Sequence, residues 1–144
     1  MSDGLTLLKV TLKQAGQSDT SARRLVFSAL EQQPPQTMKQ LTDTVSPAID
    51  RASVYRIIRL FEEIGVVHRV SMGWKYKLEL SDRFAPHHHH LSCLACDKVI
   101  DINDEEHINE FIRMVSAQVG FEPRQHQFEV EGYCRECQQN QARD

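Results

Sequence analysis

Two cysteine pairs, Cys93-Leu-Ala-Cys96 and Cys134-Arg-Glu-Cys137, stand 37 residues apart. Nothing else in the chain restricts its folding as much. Two residues between thiolates let both sulfurs of a pair reach one ion at about 2.3 Å, and two such pairs complete a tetrahedron. Four thiolates leave no open position, so the expected site is structural zinc. The segment 87–144 holds fewer than about 60 residues, too few for a secure core without a metal or a partner chain. Ordinary buried cysteines or a redox pair are the alternatives to a metal clamp.

No apolar run approaches the roughly 18 residues that a membrane span needs. The first residues, MSDGLTLLKVTLKQAG, lack a basic start, a long apolar core and a cleavage site. They do not read as a signal peptide. A cytoplasmic setting is expected, and thiols that stay reduced there point to metal rather than disulfides. The net charge of −3 conceals an asymmetry. Residues 1–85 carry 12 Lys/Arg against 9 Asp/Glu, while residues 86–144 carry 5 against 11. The front half can approach phosphate and the acidic back half cannot easily do so.

Periodicity makes the front half helical. Leu5, Leu8 and Leu12 share a face in a stretch ending at Gly16. In TSARRLVFSALEQ, Thr20 or Ser21 can cap a helix whose apolar stripe is Leu25, Val26, Ala29 and Leu30. Pro34 and Pro35 break the chain. A short helix follows, with Thr37 as cap, Met38, Leu41 and Val45 inward, and Pro47 as stop. DRASVYRIIRLFEEIG is the clearest helix. Asp50 caps it, Val54, Ile57, Ile58, Phe61 and Ile64 form its buried stripe, and Gly65 suits its end. VVHRVSMGWKYKLEL, rich in β-branched and aromatic residues and interrupted at Met72-Gly73, predicts a two-stranded hairpin. Helices followed by such a hairpin describe a winged helix-turn-helix over residues 1–80.

Residues 81–86, SDRFAP, have the composition of a hinge. Residues 87–144 predict a β-α-β unit: KVIDI a strand, DEEHINEFIRMVSAQVG a helix buried through Ile108, Phe111, Ile112, Val115 and Val119, and HQFEVEGY a strand. The expected class is α+β, a winged helix followed by a small metal-binding unit, which the family resemblance given below makes the dimerisation domain.

Just before the first cysteine pair stands HHHH, His87 to His90. Alternate side chains of a strand share a face. His88 and His90 then point one way and His87 and His89 the other, so one run can serve two metal sites. A solvated histidine tract is the plainer alternative. On the helix after Asp50, Tyr55, Arg56 and Arg59 lie opposite the core stripe, and Ser53 sits near its start. A recognition helix presents such residues to double-stranded DNA.

Together these motifs, RASVYRIIRLFEEIGVVHRV, PHHHHLSCLACDKVIDI and EVEGYCREC, in that order, resemble the ferric uptake regulator family of bacterial metal-sensing repressors. The resemblance covers about Leu5 to Gln138. It implies a homodimer on a palindromic operator, metal as co-repressor, DNA contacts from Tyr55 and Arg56, and structural zinc on the four cysteines. The family's iron and peroxide branches draw a regulatory ligand from the loop before the third helix; here Pro35 holds that place. The zinc uptake branch draws one from the start of the wing, where His68 stands. Glu79 (with Asp82 as competitor), His88 and His90 complete this regulatory set, which suits zinc above iron or manganese. A further family site corresponds to His87, His89 and His126. Its carboxylate position falls on Asn109, with Glu106 or Glu110 able to substitute, and Asp101 could join either site. His107 reads as a surface residue. A metal-independent DNA-binding protein and an iron or peroxide sensor are the competing readings.

An enzyme is not expected, nor a small organic substrate. A zinc hydrolase needs an open coordination position and a nearby base, and neither H-x-E nor H-E-x-x-H occurs.

Overall fold

The computed structural model describes residues 3–33, 35–103, 105–124 and 126–141; Pro34, expected as a helix breaker, lies outside them. The fold is α+β and forms two compact units. One takes in Met1–Val70 and Lys75–Pro86, the other Ser71–Trp74 and His87–Asp144.

The first unit has four helices, α1 (Asp3–Gln14), α2 (Ser21–Gln32), α3 (Met38–Val45) and α4 (Arg51–Glu63), then the hairpin strands β1 (Val67–Met72) and β2 (Lys75–Leu80). Local chemistry fixes the helix ends. Of the two α2 candidates Thr20 is the cap, accepting from the Arg23 N–H. Thr37 and Gln40 exchange hydrogen bonds at 3.2 and 2.9 Å, a capping box that satisfies two orphan donors of α3. Asp50 accepts from the Ser53 N–H at 2.9 Å. At the end of α4, Val66 N–H reaches Phe61 O and Gly65 N–H reaches Glu62 O. This termination needs a left-handed residue, and Gly65 has φ +73°.

Leu8, Leu12, Val26, Phe27, Leu41, Val54, Phe61 and Leu78 are fully buried in one core. Leu25, expected in the α2 stripe, is 40 % exposed. The core face of α2 runs through Val26, Phe27, Ala29 and Leu30, so the buried stripe includes Phe27 and leaves Leu25 at its edge. Met72 ends β1 as a buried residue, so the turn falls on Gly73-Trp74 rather than Met72-Gly73. Residues 81–86 pack with the first unit: the Phe84 ring meets Phe27 edge-on at 5.5 Å, and Ala85 joins the same core.

The second unit contains β3 (His89–Cys93), β4 (Val99–Ile102), α5 (Glu105–Gln118), β5 (Glu129–Gly132) and α6 (Arg135–Gln141). Its sheet has the order β4-β3-β5, with β3 antiparallel to β4 and parallel to β5. The expected β-α-β core is present, with β3 and α6 added to it. The buried face expected on α5 is not buried in the single chain. Phe111 is 59 % and Val119 78 % exposed, Val115 is also exposed, and Ile108 and Ile112 are half-buried. A thin three-stranded sheet offers too little surface to cover a whole amphipathic helix.

Candidate metal centres and nucleic-acid face

β3 delivers Cys93 at its end, paired in parallel register with Gly132 of β5. β5 then leads directly into Cys134 and into α6, which carries Cys137. The register therefore brings both CxxC pairs to one end of the sheet. All four sulfurs lie within 4.8 Å of one another. Cys96 and Cys134 are 3.9 Å apart, against the roughly 3.8 Å edge of a tetrahedron with 2.3 Å zinc–sulfur bonds. The Cys134 N–H donates to Cys93 Sγ at 3.4 Å, which lowers the Cys93 thiol to about 6. The Cys137 thiol, beside Cys134, is pushed up to about 12. Four thiolates this close need a counter-charge to coexist, and a dication supplies it. The donor set fits structural zinc, with nothing left over for catalysis.

The histidine run alternates as a strand requires. The His87 and His89 rings are 4.6 Å apart, and His87 Nε2 lies 3.1 Å from His126 Nε2. One nitrogen from each of these three residues falls within a 4.8 Å group. Three imidazoles at such spacing can bind one divalent ion and leave a fourth position. Among the described residues no carboxylate belongs to the group; Glu106 and Glu110 are exposed, and the Glu105 side chain lies outside the description. His88 and His90 form the other ring pair, 4.6 Å apart. Asp101 stands directly opposite His90 in the β3–β4 register, with its Oδ1 3.1 Å from His90 Nδ1. Of the two sites it could join, the β3–β4 register therefore sets Asp101 on the His88/His90 side of the run and not among His87, His89 and His126.

In the first unit, β1 and β2 bring His68 Nε2 to 2.7 Å from Glu79 Oε1. Glu79 is buried at 8 % exposure, while Asp82, its competitor, is exposed. A carboxylate buried in the wing needs hydrogen-bonding or metal partners, and the hairpin sets the His68 imidazole against this one. His107 is exposed, as expected.

The outward face of α4 carries Tyr55, Arg56 and Arg59, all exposed. Ser53 is committed to the cap: its hydroxyl donates to Asp50 Oδ2 at 2.6 Å and accepts from Arg56 at 2.8 Å. Arg59 pairs with Glu63 at 3.3 Å. Arg51, not singled out from the sequence, places its guanidinium 5.6 Å from the centre of the Tyr55 ring. Its four-residue spacing from Tyr55 was the available signal. The face thus presents Arg51, Tyr55 and Arg56 in the first half of α4 and Arg59 further along it, residue types that suit phosphate and base edges.

A winged helix joined to a cysteine-clamped, histidine-rich unit defines a metal-responsive DNA-binding regulator. The sequence profile described as "Ferric uptake regulator family" matches residues 14–131, and the chain belongs to that family. It is 29 % identical over 135 residues to the peroxide-responsive repressor PerR of Staphylococcus aureus, covering 89 % of this chain and 87 % of the relative. The Vibrio cholerae ferric uptake regulator superposes with a TM-score of 0.71 at 28 % identity, over 88 % of this chain and 98 % of that one. The Helicobacter pylori regulator superposes with a TM-score of 0.78 at 24 % identity, over 94 % and 91 % of the two chains. The protein is accordingly a transcription regulator and not an enzyme. Among the described residues, no helix is long and apolar enough to cross a membrane.

Proposed function

We propose that the protein is a zinc-responsive repressor of metal-uptake genes. In this reading it binds a palindromic operator as a homodimer when zinc fills a regulatory site made by His68, Glu79, His88 and His90. The observation that carries zinc over iron or peroxide is the loop before α3. Gln36 pairs backbone to backbone with Leu78 at 3.0 and 2.7 Å, and its side chain donates to Ala29 O at 2.9 Å. The loop is thereby committed to the core and offers Pro35 where the iron and peroxide branches offer a histidine. A set of three imidazoles and a carboxylate suits zinc.

The wing contributes two of these ligands and the histidine run the other two. A metal that draws ligands from both binds most tightly to one arrangement of the units, and that preference is the coupling free energy available to DNA binding. Tyr55, Arg56 and Arg59, with Arg51 beside them, are assigned to DNA. The dimer reading is supported by the apolar side chains of the second unit: Phe111, Met114, Val119 and Phe121 are each more than half exposed, more than a stable monomer of this size leaves in water. The likeness to a peroxide-responsive repressor favours a second reading, in which the same site holds iron or manganese and senses peroxide.

Metal per chain, measured by plasma mass spectrometry before and after mild chelation, separates these readings. Two classes are expected: one zinc that resists, and further metal that leaves and returns with zinc preferred in competition. His88→Ala is expected to keep the resistant zinc and lose metal-dependent DNA binding. Zinc-dependent DNA binding that survives in His88→Ala overturns the regulatory assignment. Preferential reloading with iron favours the peroxide or iron reading.

A further inference from the structure

The exposed arginines of α4 each have a partner on the helix, and the partners differ in kind. Arg51 lies over the Tyr55 ring, and Arg59 pairs directly with the Glu63 carboxylate at 3.3 Å. Arg56 is held through an intermediary. Its Nη2 donates at 2.8 Å to the Ser53 hydroxyl oxygen, and that hydroxyl donates at 2.6 Å to Asp50 Oδ2. A hydroxyl has one proton and two lone pairs. With its proton given to a carboxylate, the Ser53 oxygen can only accept, and the Arg56 guanidinium is the donor set against it. Hydroxyls inside helices otherwise turn back on the carbonyl four residues earlier. Thr11, Thr42 and Thr44 do so, at 2.9, 2.7 and 2.9 Å. The proton of Ser53 goes instead to the cap. Asp50 is itself fixed at both oxygens, since Oδ1 accepts from the Ser53 N–H at 2.9 Å.

This arrangement orients Arg56 without neutralising it. A direct ion pair, as at Arg59, has to break before the guanidinium binds anything else. Here a neutral oxygen holds one nitrogen, and the remaining N–H groups are enough for the two donors that guanine O6 and N7 require. The Asp50 carboxylate also takes a first-turn N–H that a phosphate would otherwise seek at a helix N-terminus.

We infer that Asp50 and Ser53 are positioning residues that set the sequence discrimination of α4. Asp50 fixes the Ser53 hydroxyl, the hydroxyl fixes Arg56 in the pose that reads base edges, and neither residue needs to touch the duplex. Released from Ser53, Arg56 follows the nearest phosphate, a contact that carries no sequence information. The inference rests on the DNA-binding reading above.

The test uses the full-length, zinc-loaded chain. Selection from a randomised duplex pool gives the sequence it prefers. Affinity for that duplex is then compared with affinity for a scrambled duplex of the same composition, by the anisotropy of a dye on the DNA. Ser53→Ala keeps the bond from the residue-53 N–H to Asp50, so the thermal unfolding midpoint is expected to hold. Its discrimination between the two duplexes is expected to fall about tenfold, the scale of one lost arginine–base contact. Its binding to the scrambled duplex is expected to become steeper in salt by about one released counterion. Asp50→Asn, still a capping residue, can satisfy one of the two bonds to Ser53 but not both, and is expected to lose discrimination likewise. Ser53→Thr, which keeps the hydroxyl, is expected to retain it. In an Arg56→Ala background Ser53→Ala is expected to add nothing, because it acts through Arg56. An equal loss in both backgrounds shows that Ser53 contacts DNA itself or serves the cap alone, and overturns the proposal. Unchanged discrimination in Ser53→Ala overturns it too. A wild-type chain that binds duplex yet selects no sequence overturns this inference and leaves DNA binding intact. A chain that binds no duplex overturns both.

Discussion

At the scale of single residues, the first unit depends on a few buried rings and caps. Phe61 is fully buried at the centre of the core, and Phe61→Ala is expected to cost about 3–5 kcal/mol in denaturant unfolding. Thr37→Ala removes one half of the α3 capping box and is expected to cost about 1 kcal/mol. A loss below a few tenths would show that the box is idle. Asp50 gives a pH prediction. Its carboxylate accepts from the Ser53 hydroxyl and then the Ser53 N–H, which hold it below its ordinary 3.8. A folded value below the unfolded one means the charged cap stabilises above that ordinary value and loses its effect as pH falls through the lower one. A carbon-detected NMR titration that finds Asp50 at or above 3.8 contradicts the cap geometry. The sequence was most legible at this scale for caps, because a cap is a contact between residues three apart. It was least legible for Leu25, because which of two neighbouring apolar residues faces the core depends on what the helix packs against.

At the scale of elements, β3 is the decisive strand. A one-residue step along a strand reverses the side of the sheet. His87 and His89 therefore face His126, while His90 faces Asp101. His89→Ala and His88→Ala are expected to remove different metal ions, each lowering metal per chain while the other class stays filled. Loss of the same ion from both variants would refute the two-sided strand. The alternation was readable in the run itself. The position of Asp101 was not, since only the β3–β4 register places it opposite His90. α4 was read correctly along its length: its apolar stripe, its cap and its terminal glycine all agree with one helix. α5 was read as an amphipathic helix, and its apolar residues do share a face, yet in one chain that face stays open.

At the scale of the molecule, the two units differ in what holds them. The first has a continuous core of fully buried residues. The second buries few large apolar side chains, and its cysteine cluster ties β3 to the segment after β5. Strong chelation is expected to reduce its helix and strand content, seen by circular dichroism, while the first unit's buried rings stay protected in hydrogen exchange. A chelated chain with unchanged structure would show that the cysteines are not a clamp. The exposed face of α5 belongs to the same argument. Phe111→Arg is expected to shift the chain toward monomer in sedimentation, without loss of the tightly held zinc. An unchanged sedimentation coefficient would place the dimer contact elsewhere.

The sequence by itself determined what short-range chemistry can determine: the helix ends, the wing, the ligand types and the two CxxC pairs. Each rests on residues a few positions apart, whose mutual reach is set by backbone geometry. Only the tertiary structure decided which of these side chains meet. Strand register put Asp101 with His90 and Cys93 beside Cys134. Core packing took Phe27 rather than Leu25 into the buried face of α2 and drew Phe84 onto the first unit. These depend on residues distant in the chain sharing one space, which no local pattern encodes.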